Sequence, residues 1–212
     1  MSFYKSDYGD KRDGHAVLLV RAAAAFAAVC AVMTFFSCVS VRHVYEPCSR
    51  NLSSPGIKNA RQLTEFFFSS NPDADRQDVL RLAKLYVSES AQEGINSDAA
   101  FVQMCLETGF LRFGNLVTPG MHNYCGLGSI DAGHPGESFA TEQLGVRAHI
   151  QHLHAYATTD DKVLKNECID KRYRYVKPRG KAPDIFALAG TWAMDKTYGQ
   201  KLDALLKRLE DY

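Results

Sequence analysis

The chain lacks most of the features that mark a specialised scaffold. Its 212 residues hold only six cysteines, too few for a disulfide framework over that length. Neither sign of charge prevails: 25 Lys and Arg stand against 24 Asp and Glu, a net of +1. Bulk charge therefore would not hold the protein on nucleic acid, and no nucleic-acid partner is expected. There is no internal repeat and no low-complexity run. No segment shows the sustained apolar–polar alternation of a half-buried strand. With 46% hydrophobic and 23% charged residues, the composition excludes a disordered tail, a collagen-like repeat and a simple coiled coil.

One long apolar run interrupts this average. Residues 22–41 are broken only by Thr34, Ser37 and Ser40, and Arg21 precedes them. About 20 apolar residues can cross a bilayer as a helix, and the basic flank stays on the cytoplasmic side. Residues 1–41 are therefore expected to be a signal peptide or membrane anchor. Everything after them is then exported and membrane-attached, on the periplasmic or surface side of a bacterial envelope. Phe35-Phe36-Ser37-Cys38 resembles a loose lipobox, although Phe35 stands where that pattern prefers Leu. Lipidation of Cys38, an uncleaved anchor and simple cleavage all stay open. Export would permit disulfides among Cys48, Cys105, Cys125 and Cys168, whose spacing fits no zinc pattern.

Residues 42–75 read as a tether, with Pro47, Ser53-Ser54-Pro55-Gly56 and Ser69-Ser70-Asn71-Pro72, plus a short amphipathic piece over 63–68 that can pack on the domain. From Asp75 helical signals dominate. Asp75 caps a helix with Val79, Leu82, Ala83, Tyr86 and Val87 on one face, stopped by Gly94. Ser97 is expected to cap a second helix that ends at Gly109. Residues 114–139 read as a long irregular loop or short hairpin. A third helix starts near Thr141, with Val146, Ile150, Leu153 and Ala157 as its stripe. Two more are expected over 183–193, with Pro183 in the first turn, and over 198–209. Residues 76–212 are thus expected to be one all-α domain.

Glu107 is the residue that points to chemistry. It follows Cys105 and Leu106 and precedes Phe110 and Leu111. An apolar setting and a helix C-terminus both disfavour the carboxylate anion, so the acid keeps its proton nearer neutral pH. That is the property a general acid needs to protonate a leaving oxygen. Spacing alone also allows a solvated glutamate. Asn123-Tyr124-Cys125-Gly126-Leu127-Gly128 follows at a distance suited to folding back over the acid, with glycines that let a backbone approach a ligand.

Five blocks, in order, resemble the bacterial glucosaminidases, peptidoglycan-cleaving endo-β-N-acetylglucosaminidases of the lysozyme-like clan. They are Glu107-Thr108-Gly109-Phe110-Leu111, Asn123 to Gly128, the stretch 138–153, Ile169-Asp170-Lys171-Arg172-Tyr173, and 188–199, which holds Trp192-Ala193 and Tyr198-Gly199. Tyr124 replaces an Asn, and Lys171 a Pro, of the family pattern. The resemblance implies a lysozyme-like helical fold and cleavage of the β-1,4 bond on the reducing side of N-acetylglucosamine. Peptidoglycan glycan strands would be the substrate, and no cofactor would be needed. Glu107 would be the acid, with Asn123, Tyr124, Gly126, Trp192 and Tyr198 at the sugar; the spacing of Trp192 equally fits the core. Glu137, with Asp131 as the other candidate, would supply a second carboxylate, unless the substrate acetamido group replaces it. A lytic transglycosylase of the same clan and a non-catalytic wall-binding protein are the competing readings. His149, His152 and His154 lack an accompanying carboxylate and read as a surface or groove face, so no metal is expected. The basic stretch 171–181 reads as a solvated loop or as a rim for peptide-stem carboxylates.

Overall fold

The computed structural model describes Met1 and residues 46–212. The apolar segment 22–41 and Cys38 lie outside the described residues. Among those described, no helix is long and apolar enough to cross a membrane.

Five α-helices form the domain: α1 (Ala60–Phe68), α2 (Arg76–Glu93), α3 (Ser97–Glu107), α4 (Glu142–Ala157) and α5 (Tyr198–Leu209). There is no named strand among the described residues, only isolated bridges such as Asn51 with Asp184. Helix α3 is the axis. Every residue from Ser97 to Cys105 is buried, and all four other helices contact it. A helix with no solvent face shows little amphipathic pattern, which is why its neighbours announce themselves more clearly in sequence.

The starts and stops follow local chemistry. The Asp75 carboxylate accepts from the amides of Gln77 and Asp78, and Gly94 closes α2 in the left-handed region. The Thr141 hydroxyl accepts from the Leu144 amide to start α4. The cap of α3 is Asn96 rather than Ser97: its side-chain oxygen accepts from the amides of Asp98 and Ala99. Its amide group donates to the carbonyls of Ser49 and Asn51, so one side chain both caps the central helix and fastens the preceding chain to it.

Two further expectations are corrected. Residues 183–193 form no helix. The Asp184 carboxylate accepts from the amides of Phe186 and Ala187, and Gly190 adopts a φ of +77°. The Leu188 carbonyl then accepts from Thr191, Trp192 and Ala193 in successive turns. Ile185 and Leu188 are nevertheless fully buried, so the helix-like apolar spacing fills the core from irregular backbone.

The second correction concerns the expected tether. From Glu46 onward it belongs to the same compact unit as the rest of the described chain. Cys48, Leu52, Leu63, Phe66 and Phe67 are all buried in the main core. Asn59 opens α1 with a capping box closed by Gln62. Arg50 pairs with Asp203 and Glu210 near the end of α5, and the Asp98 carboxylate accepts from the amides of Ile57 and Lys58.

Helix α1 also supports the turn after α3. Phe110 packs on Phe66 and Phe67, with ring centroids 5.9 and 5.6 Å away, and the Asn71 side-chain amide donates to the Phe110 carbonyl at 2.8 Å. Phe110, Leu111 and Phe113 all carry positive φ, between +56° and +59°, a conformation that costs a bulky residue about 1–3 kcal/mol. The aromatic packing and the Asn71 bond offset that strain.

These contacts predict that a chain beginning at residue 76 fails to unfold cooperatively, whereas one beginning at residue 46 does so. Phe67→Ala should lower the unfolding free energy by about 3–5 kcal/mol, measured by denaturant titration; a loss below about 1 kcal/mol would show that α1 merely lies on the surface.

Candidate active site

Glu107 is the last residue of α3, and its half-buried side chain lines a cleft of about 330 Å³. Thr108, Phe113, Asn123, Cys125, Gly126, Trp192 and Tyr198 line it as well. The Tyr198 hydroxyl and the Trp192 indole N–H both donate to Oε1 of Glu107, the latter at 3.2 Å. Oε2 accepts no protein hydrogen bond among the described residues, so one carboxyl oxygen is fixed and the other is left for a ligand. Burial raises the Glu107 pKa above the usual carboxylate value, while the bonds from Tyr198 and Trp192 pull it down. Burial prevails, as the sequence around the acid implies.

Three elements set this geometry. Tyr198 opens α5, which packs against α3. Trp192 sits in the irregular 183–193 segment, its ring against His152 at 5.0 Å and Tyr156 at 5.3 Å. Asp170, buried, bonds to the Nδ1 side of His152 at 2.7 Å, so the block around Asp170 reaches the acid through His152 and Trp192. The third element is the loop after residue 121. It lies on α4 at Gly145, where an added Cβ would fall 1.8 Å from the His122 carbonyl oxygen. Only glycine admits that approach, and the loop hangs from it.

The predicted site residues fall into distinct places. Asn123 lines the cleft, but both its amide donors are engaged, with the carbonyls of Leu127 and Glu137, and its oxygen accepts from the Leu127 amide. It shapes the loop. Gly126, with φ +66°, faces open space and exposes backbone to the cleft. Trp192 and Tyr198 line the cleft while holding Glu107, so each acts on the acid directly. Tyr124 is a correction. It is buried against the core and lines a neighbouring groove of about 510 Å³, with Asn71, Asp75, His122 and Glu142, instead of the Glu107 cleft. Phe113 separates the two spaces and lines both.

Glu137 does not line the cleft either; its carboxylate pairs with Lys171 at 2.9 Å. Asp131 is exposed and accepts from the amides of Gly133 and His134 in its own turn. Among the described residues, Glu107 is the one carboxylate lining the cleft. In the basic stretch, Arg179 lies over Tyr173 and Lys181 over Tyr156.

The three histidines are buried, contrary to a surface face. His152 is bonded to Asp170 and His154 to Tyr173. His149 lies between Gln103, at 3.0 Å from Nε2, and the Tyr86 hydroxyl, at 2.8 Å from Nδ1. The Gln103 amide in turn donates to the Tyr198 oxygen at 2.9 Å. Sequence reasoning overlooked Gln103 altogether. A polar residue in the most apolar of the described helices, four before Glu107, was the available signal.

Burial and the neighbouring His152 hold the His149 pKa down at about 3, against an ordinary 6.5. Its contribution to stability is therefore fully present above pH 6.5 and is lost on acidification, because only the unfolded chain takes up the proton. The unfolding free energy should fall by up to about 1.4 kcal/mol per pH unit from this group below pH 6.5. Denaturant titrations between pH 7 and 4 should show a shallower slope in a folded His149→Gln variant; equal slopes would refute the assignment.

Comparison with known proteins assigns the family. The Glucosaminidase family model, described as mannosyl-glycoprotein endo-beta-N-acetylglucosaminidase, matches residues 83–211. An uncharacterized protein of Borreliella burgdorferi strain B31 is 40% identical over 161 residues, covering 76% of this chain and 78% of that protein. No solved structure matches. The matched region takes in more than half of the chain and contains Glu107, Asn123, Gly126, Trp192 and Tyr198; the chain belongs to the glucosaminidase family.

Proposed function

We propose that the protein is a peptidoglycan hydrolase that cleaves the β-1,4 bond on the reducing side of N-acetylglucosamine, with Glu107 as general acid. The observation that carries this reading is the Glu107 carboxyl group itself. It is partly withdrawn from water, bonded at Oε1 by two donors and open to the cleft at Oε2. A proton on Oε2 is placed to pass to the glycosidic oxygen as the C1–O bond breaks.

Glu107 stands without a second carboxylate among the described cleft residues, which favours the acetamido group of the substrate as internal nucleophile. Its carbonyl oxygen would bond to C1 as the leaving oxygen takes the proton from Glu107. Water, deprotonated by the Glu107 carboxylate, would then open the resulting ring. Export of the domain through the segment 22–41 and attachment to the membrane there, whether by lipidated Cys38 or by an anchor, belong to the same reading, since the substrate lies outside the cytoplasm.

The same lone acid also fits a transglycosylase, in which an intramolecular hydroxyl of muramic acid replaces water. Mass spectrometry of digested cell walls separates the two. Products with reducing-end N-acetylglucosamine support the proposal, and anhydromuramic ends refute it. Glu107→Gln should lower kcat by about a thousand-fold, and wall lysis at the wild-type rate would remove Glu107 from the mechanism.

Tyr198→Phe should show two effects. Loss of a bond to the anion raises the Glu107 pKa, so the alkaline limb of the pH–rate profile moves to higher pH. Loss of positioning lowers kcat by about ten-fold. A limb that moves to lower pH would contradict the assigned donor.

A further inference from the structure

We infer that Tyr86, His149 and Gln103 form an oriented hydrogen-bond chain that points the Tyr198 proton at Glu107, which makes all three positioning residues for the acid. The inference rests on the reading of Glu107 as general acid.

The chain runs from α2 through α4 and α3 to α5. The Tyr86 oxygen lies 2.8 Å from His149 Nδ1, His149 Nε2 lies 3.0 Å from Gln103 Oε1, and Gln103 Nε2 lies 2.9 Å from the Tyr198 oxygen, which bonds to Glu107. The polarity of each link follows from the next. Gln103 donates to Tyr198 through its nitrogen, so its oxygen faces His149 and must accept. Nε2 of His149 therefore carries the proton. A neutral imidazole has one N–H, so Nδ1 accepts, and the Tyr86 hydroxyl donates to it. All the protons point toward Glu107.

The reversed arrangement is internally consistent up to its far end. With the proton on Nδ1, Nε2 would accept, the Gln103 amide would turn over, and Tyr198 would donate to Gln103. Glu107 would then lose its donor. Tyr86 decides between the two. It is completely buried, and His149 is its one hydrogen-bond partner among the described residues. In the reversed chain Tyr86 would accept from His149, and its own proton would have no acceptor, which is costly inside a core. His149 is also completely buried and Gln103 nearly so, so water does not offer the missing partner.

The charged and titratable surroundings keep the chain neutral. Tyr86 from α2 and His152 from α4 face His149, whose pKa is held at about 3. Tyr198 from α5 and Cys125 from the loop face Glu107, and burial pushes the pKa of each well up. Burial raises the Glu107 pKa as well, and the direction of its neighbour's dipole is set three hydrogen bonds away, at Tyr86.

The test uses the full-length protein labelled with ¹⁵N-histidine and ¹³C-carboxyl glutamate. Wild-type His149 should show the Nε2–H tautomer; an Nδ1–H tautomer overturns the inference outright. In Tyr86→Phe the selecting proton is gone. Both tautomers should then appear, the Glu107 titration should move up by a few tenths of a pH unit, and kcat should fall about five-fold with KM unchanged. A folded Tyr86→Phe with the wild-type tautomer and Glu107 titration refutes the chain. If that variant does not fold, the wild-type tautomer still decides. The spectra require no turnover, so a failed glycosidase reading shows separately, as a wild type that releases no sugar fragments.

Discussion

Much of this structure depends on the hydrogen bond from Tyr198 to Glu107. It joins the first residue of one helix to the last residue of another. It fixes the carboxyl rotamer, leaves one oxygen to the cleft and opposes the rise in pKa that burial causes. A buried acid without such a bond would sit at a pKa set by its apolar surroundings alone. One with several strong donors would already be ionised at neutral pH and would hold no proton to give. Two donors on a single oxygen lower the pKa that partial desolvation raises, and desolvation prevails.

The rest of the fold can be understood as what holds that pair in register. Helix α3 carries the acid and is covered on every face, so it cannot shift without moving the core. Gly145 lets the 122–128 loop lie against α4, and Asn123 spends its amide keeping that loop in shape. The Trp192 ring, packed on His152 and Tyr156, brings the second donor from backbone that is neither helix nor strand.

How much of this is legible in sequence varies with the kind of interaction. Helices α2, α4 and α5 are amphipathic or capped by short polar side chains, and Asp75, Thr141, Gly94 and the leucines of α5 mark them. Glu107 stands out because a carboxylate in an apolar run is anomalous. The 183–193 segment misleads for the opposite reason: Ile185 and Leu188 have helical spacing, yet Asp184 and Gly190 turn the backbone, and only tertiary contact tells which influence prevails. Tyr124 sits between the cleft residues Asn123 and Cys125, and the Glu137 carbonyl accepts from Asn123, but such proximity does not say which way a loop side chain turns. Gln103, His149 and Tyr86 lie on three separate helices, so no local pattern could join them.

The turn that follows Glu107 gives the fold an uneven relation to its own inheritance. The region shared with the family begins at residue 83, whereas Phe66, Phe67 and Asn71, which hold Phe110 in its left-handed conformation, all precede it. Phe113 in that same turn is the partition between the Glu107 cleft and the neighbouring groove. The acid and Phe113 thus lie within the region shared with the family, while the residues that brace their turn lie before it. A graft of residues 83–211 alone onto another protein would carry the reactive group and Phe113 across but leave behind the residues that brace the turn between the two chambers. Variation in a segment outside the lining of the Glu107 cleft would therefore reach Phe113 and reshape what that cleft admits.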